Sequence, residues 1–433
     1  MAPIKTLRRI AVTWAIAVMA APVWNGAWAA QPTVLTPPGN DATFPREFFG
    51  IHVHLNPPER WPTLPFGAIR LWDSRVSWPQ LEPAKGQWNF AVLDRYVDWA
   101  QSRSMDVLLP LGLSPTWASA RPQETSAYGS APGRGAGYAA EPAQIDDWRD
   151  YVHTVATRYK GRIHHYELWN EVTAKEFFSG QPADLVRLAA VAKRELVAVD
   201  PANRLVAPSA VSLGPVQTAW PARFMSEGGA DAADIASFHL YHGGHPPELK
   251  LGMAPNIRAQ LVRSGFGGKP LWNTETGYFL PAPPGAKPAT DSRYIISEQT
   301  AAEYVPRDLL LSRAMGFERF YWFAWDNDFL GLLVPGTSAL RPHAKVLGQF
   351  MSLLTDAHLK QCARDNAGLW RCDLVLAGGN PALAVWADPS ATGSPHLTPP
   401  FVGKLVRLDG ADAGTRAGND IVAGPVVQLL VKE

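Results

Sequence analysis

The sequence predicts an α/β chain: a (β/α)8 barrel of the TIM type followed by a small C-terminal antiparallel β domain. Three observations carry that expectation. Strand-like apolar runs alternate eight times with helical or irregular connecting segments between residues 45 and 356. No Gly-rich phosphate loop follows any of the runs, which counts against an open nucleotide-binding sheet. From residue 357 the helical period gives way to short alternating runs parted by Gly, Pro and Asp turns. Repeated β/α alternation implies a parallel sheet, and a count of eight favours its closed form.

The strand candidates, in order, are FFGIHVHL near residue 48, GAIRLW near 67, MDVLLPLG near 105 and IHHYELW near 163, then RLVAPS, IASFHLY, KPLWNTE and RFYWFAW. Amphipathic segments expected as helices lie between them at Ala91 to Ser102, Ile145 to Tyr159, Ala183 to Val199, Pro255 to Ser264 and Glu298 to Met315. The link between the first two strands, PPERWPTLP, is too rich in proline for a regular helix. A last helical pattern, RPHAKVLGQFMSLLTD, closes the barrel region. The expected division is therefore 1–30, 31–356 and 357–433, with the last part a sandwich-like module packed on the barrel. Two long insertions follow strands, Ser114 to Pro142 and Phe279 to Tyr294, and so belong to the face where barrel loops build active sites.

Composition narrows the class. The 433 residues are 46% hydrophobic, enough for a large core with an added module. The formal charge of +1 is no footprint for nucleic acid or an acidic membrane surface. The first 30 residues read as a secretory signal, with a basic front, an apolar run from Ile10 to Ala21 and an Ala-Trp-Ala site at 27–29, so a secreted or periplasmic protein is expected. No later run reaches the length of a membrane span. Cys362 and Cys372 flank an Asn-Ala-Gly turn and, in an oxidising compartment, fit a disulfide closing a hairpin. The 17 tryptophans suit a site that stacks on sugar rings, although most should be core.

Two glutamates stand where apolar runs end: Glu171 in YELWNEV and Glu275 in PLWNTETGY. Burying an anion is costly, so each position asks for a reason. In a β/α barrel the C-terminal strand ends converge on one mouth, and the fourth and seventh strands can aim two carboxylates at one bond. That is what glycoside cleavage needs: one carboxylic acid protonates the leaving oxygen while a carboxylate assists or attacks the anomeric carbon. Simple alternation places Glu167, Trp169 and Glu171 on one side of the fourth strand, and Leu271, Asn273 and Glu275 on one side of the seventh. The plain alternative for each glutamate is a surface salt-bridge carboxylate.

With these residues in view, the sequence resembles the clan A glycoside hydrolases, which place an Asn-Glu acid/base at strand four and a nucleophile Glu at strand seven. RLWDSRVSWPQLEPAKGQWNFAVLD and SPTWAS are similar in particular to family 39, including its exopolysaccharide hydrolases. The likeness spans about residues 45 to 356. It implies a retaining enzyme that needs no cofactor or metal, with a polysaccharide or oligosaccharide as its partner, β-linked and cut internally. By the resemblance, Glu275 is the nucleophile, Glu171 the acid/base and Asn170 a hydrogen-bond partner of the sugar 2-hydroxyl. Arg70 matches a cation beside the nucleophile, with a structural ion pair to Glu167 as its alternative. Tyr241 matches a donor to the nucleophile, and His239 shares its strand end. Trp322 and Trp325 lie where family members hold a stacking tryptophan, and parity admits only one of them. His54 and Trp117 are further rim candidates.

Two other readings remain. Paired His52 and His54 on the first strand, with His239 and Asp326, evoke a metal-dependent barrel hydrolase, although RLVAPSAV supplies no histidine. A non-catalytic polysaccharide-binding barrel is the second.

Overall fold

The computed structural model describes residues 32–433 apart from 41, 55–59, 210, 212–214, 264, 392, 411–413 and 418–419. The expected signal segment, 1–30, lies outside the described residues.

Two short strands, β1 (Thr33–Leu35) and β2 (Ala42–Thr43), precede eight barrel strands: β3 (Phe49–His52), β4 (Ala68–Arg70), β5 (Asp106–Leu111), β6 (His165–Leu168), β7 (Arg204–Val206), β8 (Ala236–His239), β9 (Leu271–Thr276) and β10 (Phe317–Trp322). The eight pair in parallel in the order β7-β6-β5-β4-β3-β10-β9-β8. The ring closes between β7 and β8 through isolated parallel bridges, Val206 to Ile235 and, past the end of β7, Val211 to His239, and the Ala207 N–H donates to the Ile235 carbonyl at 2.8 Å. Each strand's inward residues follow from its period of two. Ala68, Leu108, Val206, Ile235, Trp272 and Tyr321 meet inside the barrel as a lower apolar layer. Gly50 belongs to that layer because a Cβ there would stand 2.3 Å from the Tyr321 ring.

The helices of the described residues are α1 (Trp78–Leu81), α2 (Ala91–Ser102), α3 (Ile145–Arg158), α4 (Pro182–Val199), α5 (Pro215–Phe224), α6 (Ala230–Ala232), α7 (Lys250–Arg263), α8 (Glu298–Ala314) and α9 (Pro342–Leu354). The periodicity marks α2, α3, α4, α8, α9 and the second half of α7, which begins before the expected Pro255, whereas α1, α5 and α6 were not expected. Helix starts are written locally. At α4, Pro182 occupies the first turn, and the Gln181 N–H donates to the Asp184 carboxylate at 2.8 Å. At α8, Ser297 Oγ accepts from the Thr300 N–H at 2.9 Å. Among the described residues no α-helix links β3 to β4, in keeping with the prolines of that stretch. No helix of the described residues is long and apolar enough to cross a membrane.

The C-terminal part forms β11 (His358–Arg364), β12 (Leu369–Val375), β13 (Pro381–Ala387), β14 (His396–Leu397), β15 (Gly403–Arg407), β16 (Gly414–Ala417), β17 (Ile421–Val422) and β18 (Gln428–Lys432). Here the structure departs from the sequence division. β1 and β2, expected in the barrel part, pair antiparallel with β11 and complete an eight-stranded sheet with β12, β13, β18, β15 and β16. Strands of two or three residues carry no readable period, and the open edge of β11 recruits them. β14 and β17 form a separate two-stranded ribbon. Alternation divides the sheet's faces: Trp370, Cys372, Ala384, Trp386 and Leu429 join the main core, while Leu383, Val385, Ala387 and Leu430 pack with Ile421 and Ala423 in an outer cluster. Cys362 and Cys372 face each other across β11 and β12 and are disulfide-bonded. Trp386 Nε1 donates to Glu248 Oε1 at 2.9 Å, and buried Arg307 pairs with the same carboxylate, which ties sheet to barrel.

Candidate active site

Above the apolar layer the barrel interior turns polar around one cation. Arg70 is fully buried, and all three of its guanidinium nitrogens are engaged: Nε donates to Glu167 Oε2 at 2.6 Å, Nη1 to Glu275 Oε2 at 3.0 Å and Nη2 to Asn170 Oδ1 at 2.7 Å. The two roles considered for Arg70, structural ion pair and partner of Glu275, are thus held by one side chain. Glu167 also accepts from Thr274 Oγ1 at 2.9 Å and Ser237 Oγ at 3.3 Å. A buried charge needs such partners, and here the partners are themselves strand residues of the barrel wall.

Both glutamates reach the mouth through breaks in strand alternation. Along β6, Glu167 points inward and Leu168 outward. Trp169 then adopts φ +61° and turns its ring out, where its Nε1 donates to the Phe177 carbonyl and the ring packs on Phe178. Asn170 takes the inward place and Glu171, at φ +43°, follows it. Trp169 therefore does not share a face with Glu167, contrary to the expected alternation. Positive φ is uncommon for side chains of this kind, and strained backbone concentrates at functional sites. Along β9, Leu271 lies in the outer core while Trp272 and Thr274 face inward, so strict alternation would send Glu275 out with Asn273. A β-bulge intervenes. Phe238 opposes Asn273 but His239 opposes Glu275, and on the other flank Phe320 opposes Asn273 while Trp322 opposes Thr276. The extra residue re-aims Glu275 into the mouth.

The result is a compact carboxylate pair. One oxygen of Glu171, one of Glu275 and a ring nitrogen of His239 all lie within 4.8 Å of one another. Tyr241 Oη donates to Glu275 Oε1 at 2.7 Å, and His239 Nδ1 stands 2.9 Å from Glu171 Oε1. Burial raises the pKa of both glutamates. Arg70 and the Tyr241 hydroxyl oppose that rise at Glu275. Glu171 is pushed well up, first by burial and then by the neighbouring Glu275 charge, with Arg70 opposing. The environments separate the pair: Glu275, pushed up to about 7, loses its proton before Glu171, which is pushed well up. Burial, reinforced by Arg70, drives His239 well below its usual range, so the imidazole is neutral.

Asn170 Nδ2, His52 Nδ1, His54 Nε2 and His239 Nε2 are buried without a hydrogen-bond partner. Unpaired buried polar atoms are costly, and among these side chains His239 stands directly against the carboxylates. His54 lies at the rim, with its ring against Phe323 and its backbone N–H on Asp326 Oδ1 at 3.1 Å.

Three expected aromatic contacts are not found at the pair. Trp322 points out of the barrel, packing against Tyr278 and His343 with Nε1 on the Leu330 carbonyl. Trp325 is buried and donates from Nε1 to the Arg60 carbonyl. Phe323 occupies the inward position instead, continuing the parity of Tyr321, and packs with Tyr241 and Phe279. Trp117 is half-buried against Trp78, with Nε1 on the Glu82 carbonyl at 3.0 Å. The metal arrangement expected of His52 and His54 does not form either. His52 Nε2 lies 3.0 Å from the Thr274 carbonyl, and neither histidine belongs to the one group of metal-capable side chains found among the described residues, Glu171, His239 and Glu275.

Asp73 and Tyr128 were not anticipated. Tyr128, from the long Ser114 to Pro142 loop, donates to Asp73 Oδ1 at 2.8 Å beside the mouth. That loop is stitched by its own hydroxyls, with Ser114, Thr116, Ser119 and Ser126 each donating to a carbonyl within it at 2.7 Å. At the opposite end of the barrel lies a cavity of about 690 Å³ lined by His165, Arg204, Trp272 and Arg319 together with Glu47, Asp234 and Glu318. It lies at the strand starts, a face associated with stability.

A model of glycosyl hydrolase family 10 matches residues 72–183. Among solved structures, the chain is similar to a family 39 glycoside hydrolase from Bacteroides cellulosilyticus WH2, at TM-score 0.66 and 17% identity, over 90% of this chain and 81% of that one. It is similar also to a monomeric β-xylosidase from Caulobacter crescentus CB15, at TM-score 0.64 and 15% identity, over 90% and 97% of the two chains. The catalytic domain of a family 30 xylanase C from Talaromyces cellulolyticus aligns at TM-score 0.60 and 11% identity, over 92% and 100%. At these identities the structures share the fold.

Proposed function

We propose that this chain, whose family match, fold and strand-end glutamates are those of the clan A glycoside hydrolases, cleaves glycosidic bonds with retention of anomeric configuration. The observation that carries the reading is the approach of Glu171 and Glu275 to within 4.8 Å, with Arg70 and Tyr241 bonded to one of them only. Carboxyls about 5 to 5.5 Å apart suit a covalent intermediate, whereas an inverting pair leaves room for water at about 6.5 Å or more. Glu275, ionised and anchored by two donors, attacks the anomeric carbon. Glu171, protonated, delivers its proton to the leaving oxygen and then, as a carboxylate, takes one from the water that releases the sugar. Neutral His239 orients the Glu171 carboxyl, and the free amide N–H of Asn170 is available to the sugar 2-hydroxyl.

Within this reading the substrate is a β-linked polysaccharide cut internally, with a bacterial exopolysaccharide favoured, by the likeness of the sequence motifs to family 39. The chain acts outside the cytoplasm by the same reading, on the strength of its first 30 residues. Purified protein is to be screened against defined β-glycosides and polysaccharides, with product lengths and first-formed anomers read out. Retained configuration is expected, with loss of turnover in Glu171→Gln and Glu275→Gln. Inverted product overturns the mechanism, and saturable glycan binding without turnover supports a binding barrel instead.

A further inference from the structure

Resting on that reading, the mouth holds a third carboxylate that the cleavage chemistry does not use. Asp73 stands three residues past the end of the strand that supplies Arg70, and its charge acts on both Glu171 and Glu275. One oxygen is held by the Tyr128 hydroxyl, while the other has no hydrogen-bond partner among the described residues. It is therefore an anchored acceptor beside the place where a sugar ring must lie. Asn170 Nδ2, next to Glu171 in the chain, is likewise buried without a partner.

The charges there are lopsided. Arg70, the cation that acts on both glutamates, has every nitrogen committed inside the barrel. Asp326 adds a further acidic group at the rim beside His54. A sugar carboxylate entering this subsite would meet these anions while Arg70 is already committed to Glu167, Glu275 and Asn170, and a buried charge that lacks a partner is strongly disfavoured.

We propose that Asp73, positioned by Tyr128, is a specificity-determining residue of the subsite over the Glu171–Glu275 pair, accepting a hydrogen bond from a hydroxyl or amino group of the sugar and excluding uronic acids. The enzyme is thereby a hydrolase of neutral or amino sugars, and the Ser114 to Pro142 loop contributes to that choice through Tyr128.

The test compares wild type, Asp73→Asn and Tyr128→Phe on matched aryl β-glycosides: neutral hexosides and pentosides, hexosaminides and hexuronides. Glu171→Gln serves as the control for chemistry. Asn tolerates the φ of +59° that Asp73 adopts, so Asp73→Asn keeps the backbone. Tyr128→Phe removes only the donor, and thermal melts of both variants report folding. The wild type is expected to favour its best neutral or amino glycoside over the matching uronide by about a hundredfold or more in kcat/KM. Asp73→Asn is expected to lower that kcat/KM by about tenfold to a hundredfold and to shrink the preference against uronides by about tenfold, with Tyr128→Phe a weaker copy. Uronide cleavage by wild type within tenfold of its best substrate overturns the inference. So does an Asp73→Asn variant unchanged within about twofold while Glu171→Gln is inactive, a result that leaves the hydrolase reading standing. Absence of turnover by wild type on every glycoside and polysaccharide removes both.

Discussion

Three hydrogen bonds decide which glutamate does which work. Arg70 and Tyr241 favour the charged form of Glu275, whereas among the described residues the side chain bonded to the Glu171 carboxyl is the neutral imidazole of His239. Activity should therefore follow a bell in pH. It falls in acid as Glu275 takes a proton and in alkali as Glu171 loses one. Because the Tyr241 bond stabilises the anion, its removal in Tyr241→Phe raises the Glu275 pKa. The acid limb of kcat/KM should then move to higher pH, with kcat reduced by about tenfold to a hundredfold; an unmoved acid limb contradicts the assignment. Glu275→Gln should reduce turnover by at least about a thousandfold without altering the melting transition, since the side chain's shape is kept. With an aryl glycoside whose leaving group needs no proton, Glu171→Gln should keep its first step and lose the alkaline limb.

At the scale of elements, the barrel was legible from eight apolar runs and the helical periods between them, because each strand shows one face to the barrel interior and the other to the helix layer. The Arg70, Asn170, Tyr241 and carboxylate positions were legible because their strand ends carry recognisable motifs. What escaped was local. Trp169 at positive φ and the bulge in β9 both break the period of two, and no residue in WNE or WNTET announces such a break. At β10 the period holds, and Trp322 and Trp325 came forward in place of Phe323 because the inward parity of that strand, set by Tyr321, was not fixed from the sequence. Tyr128 escaped because its partner Asp73 is 55 residues away and a loop has no period to read. Buried α9 allows a test of the helix layer. His343 packs on Trp322, and burial holds its pKa down at about 3. In the unfolded chain a histidine titrates near 6.5, so the stability is complete above that pH and is lost progressively as the pH falls from about 6.5 to about 3. In urea titrations, His343→Phe should reduce the slope of stability against pH in that window by up to about 1.4 kcal/mol per unit. An unchanged slope contradicts a neutral, buried His343.

The molecule as a whole is a barrel locked to a sheet that takes strands from both ends of the chain. β1 and β2 precede the barrel and β11 follows it, so the sheet straps the first and last barrel strands together. The buried Glu248 carboxylate is shared by Arg307 of α8 and Trp386 of β13. Glu248→Ala leaves the Arg307 charge unpaired and should cost about 3–5 kcal/mol of unfolding free energy, with kcat within about twofold at 25 °C because the mouth is untouched. A variant as stable as wild type would show that the clamp contributes nothing.

The measurement closest to the centre of this account is covalent trapping. An activated 2-deoxy-2-fluoro β-glycoside of the preferred sugar is incubated with the protein, and the digest is read by mass spectrometry. One glycosyl group per chain, on the peptide carrying Glu275, is the predicted result. Label on Glu171 instead, or steady turnover to the inverted anomer with no adduct, contradicts the assignment of Glu275 as nucleophile.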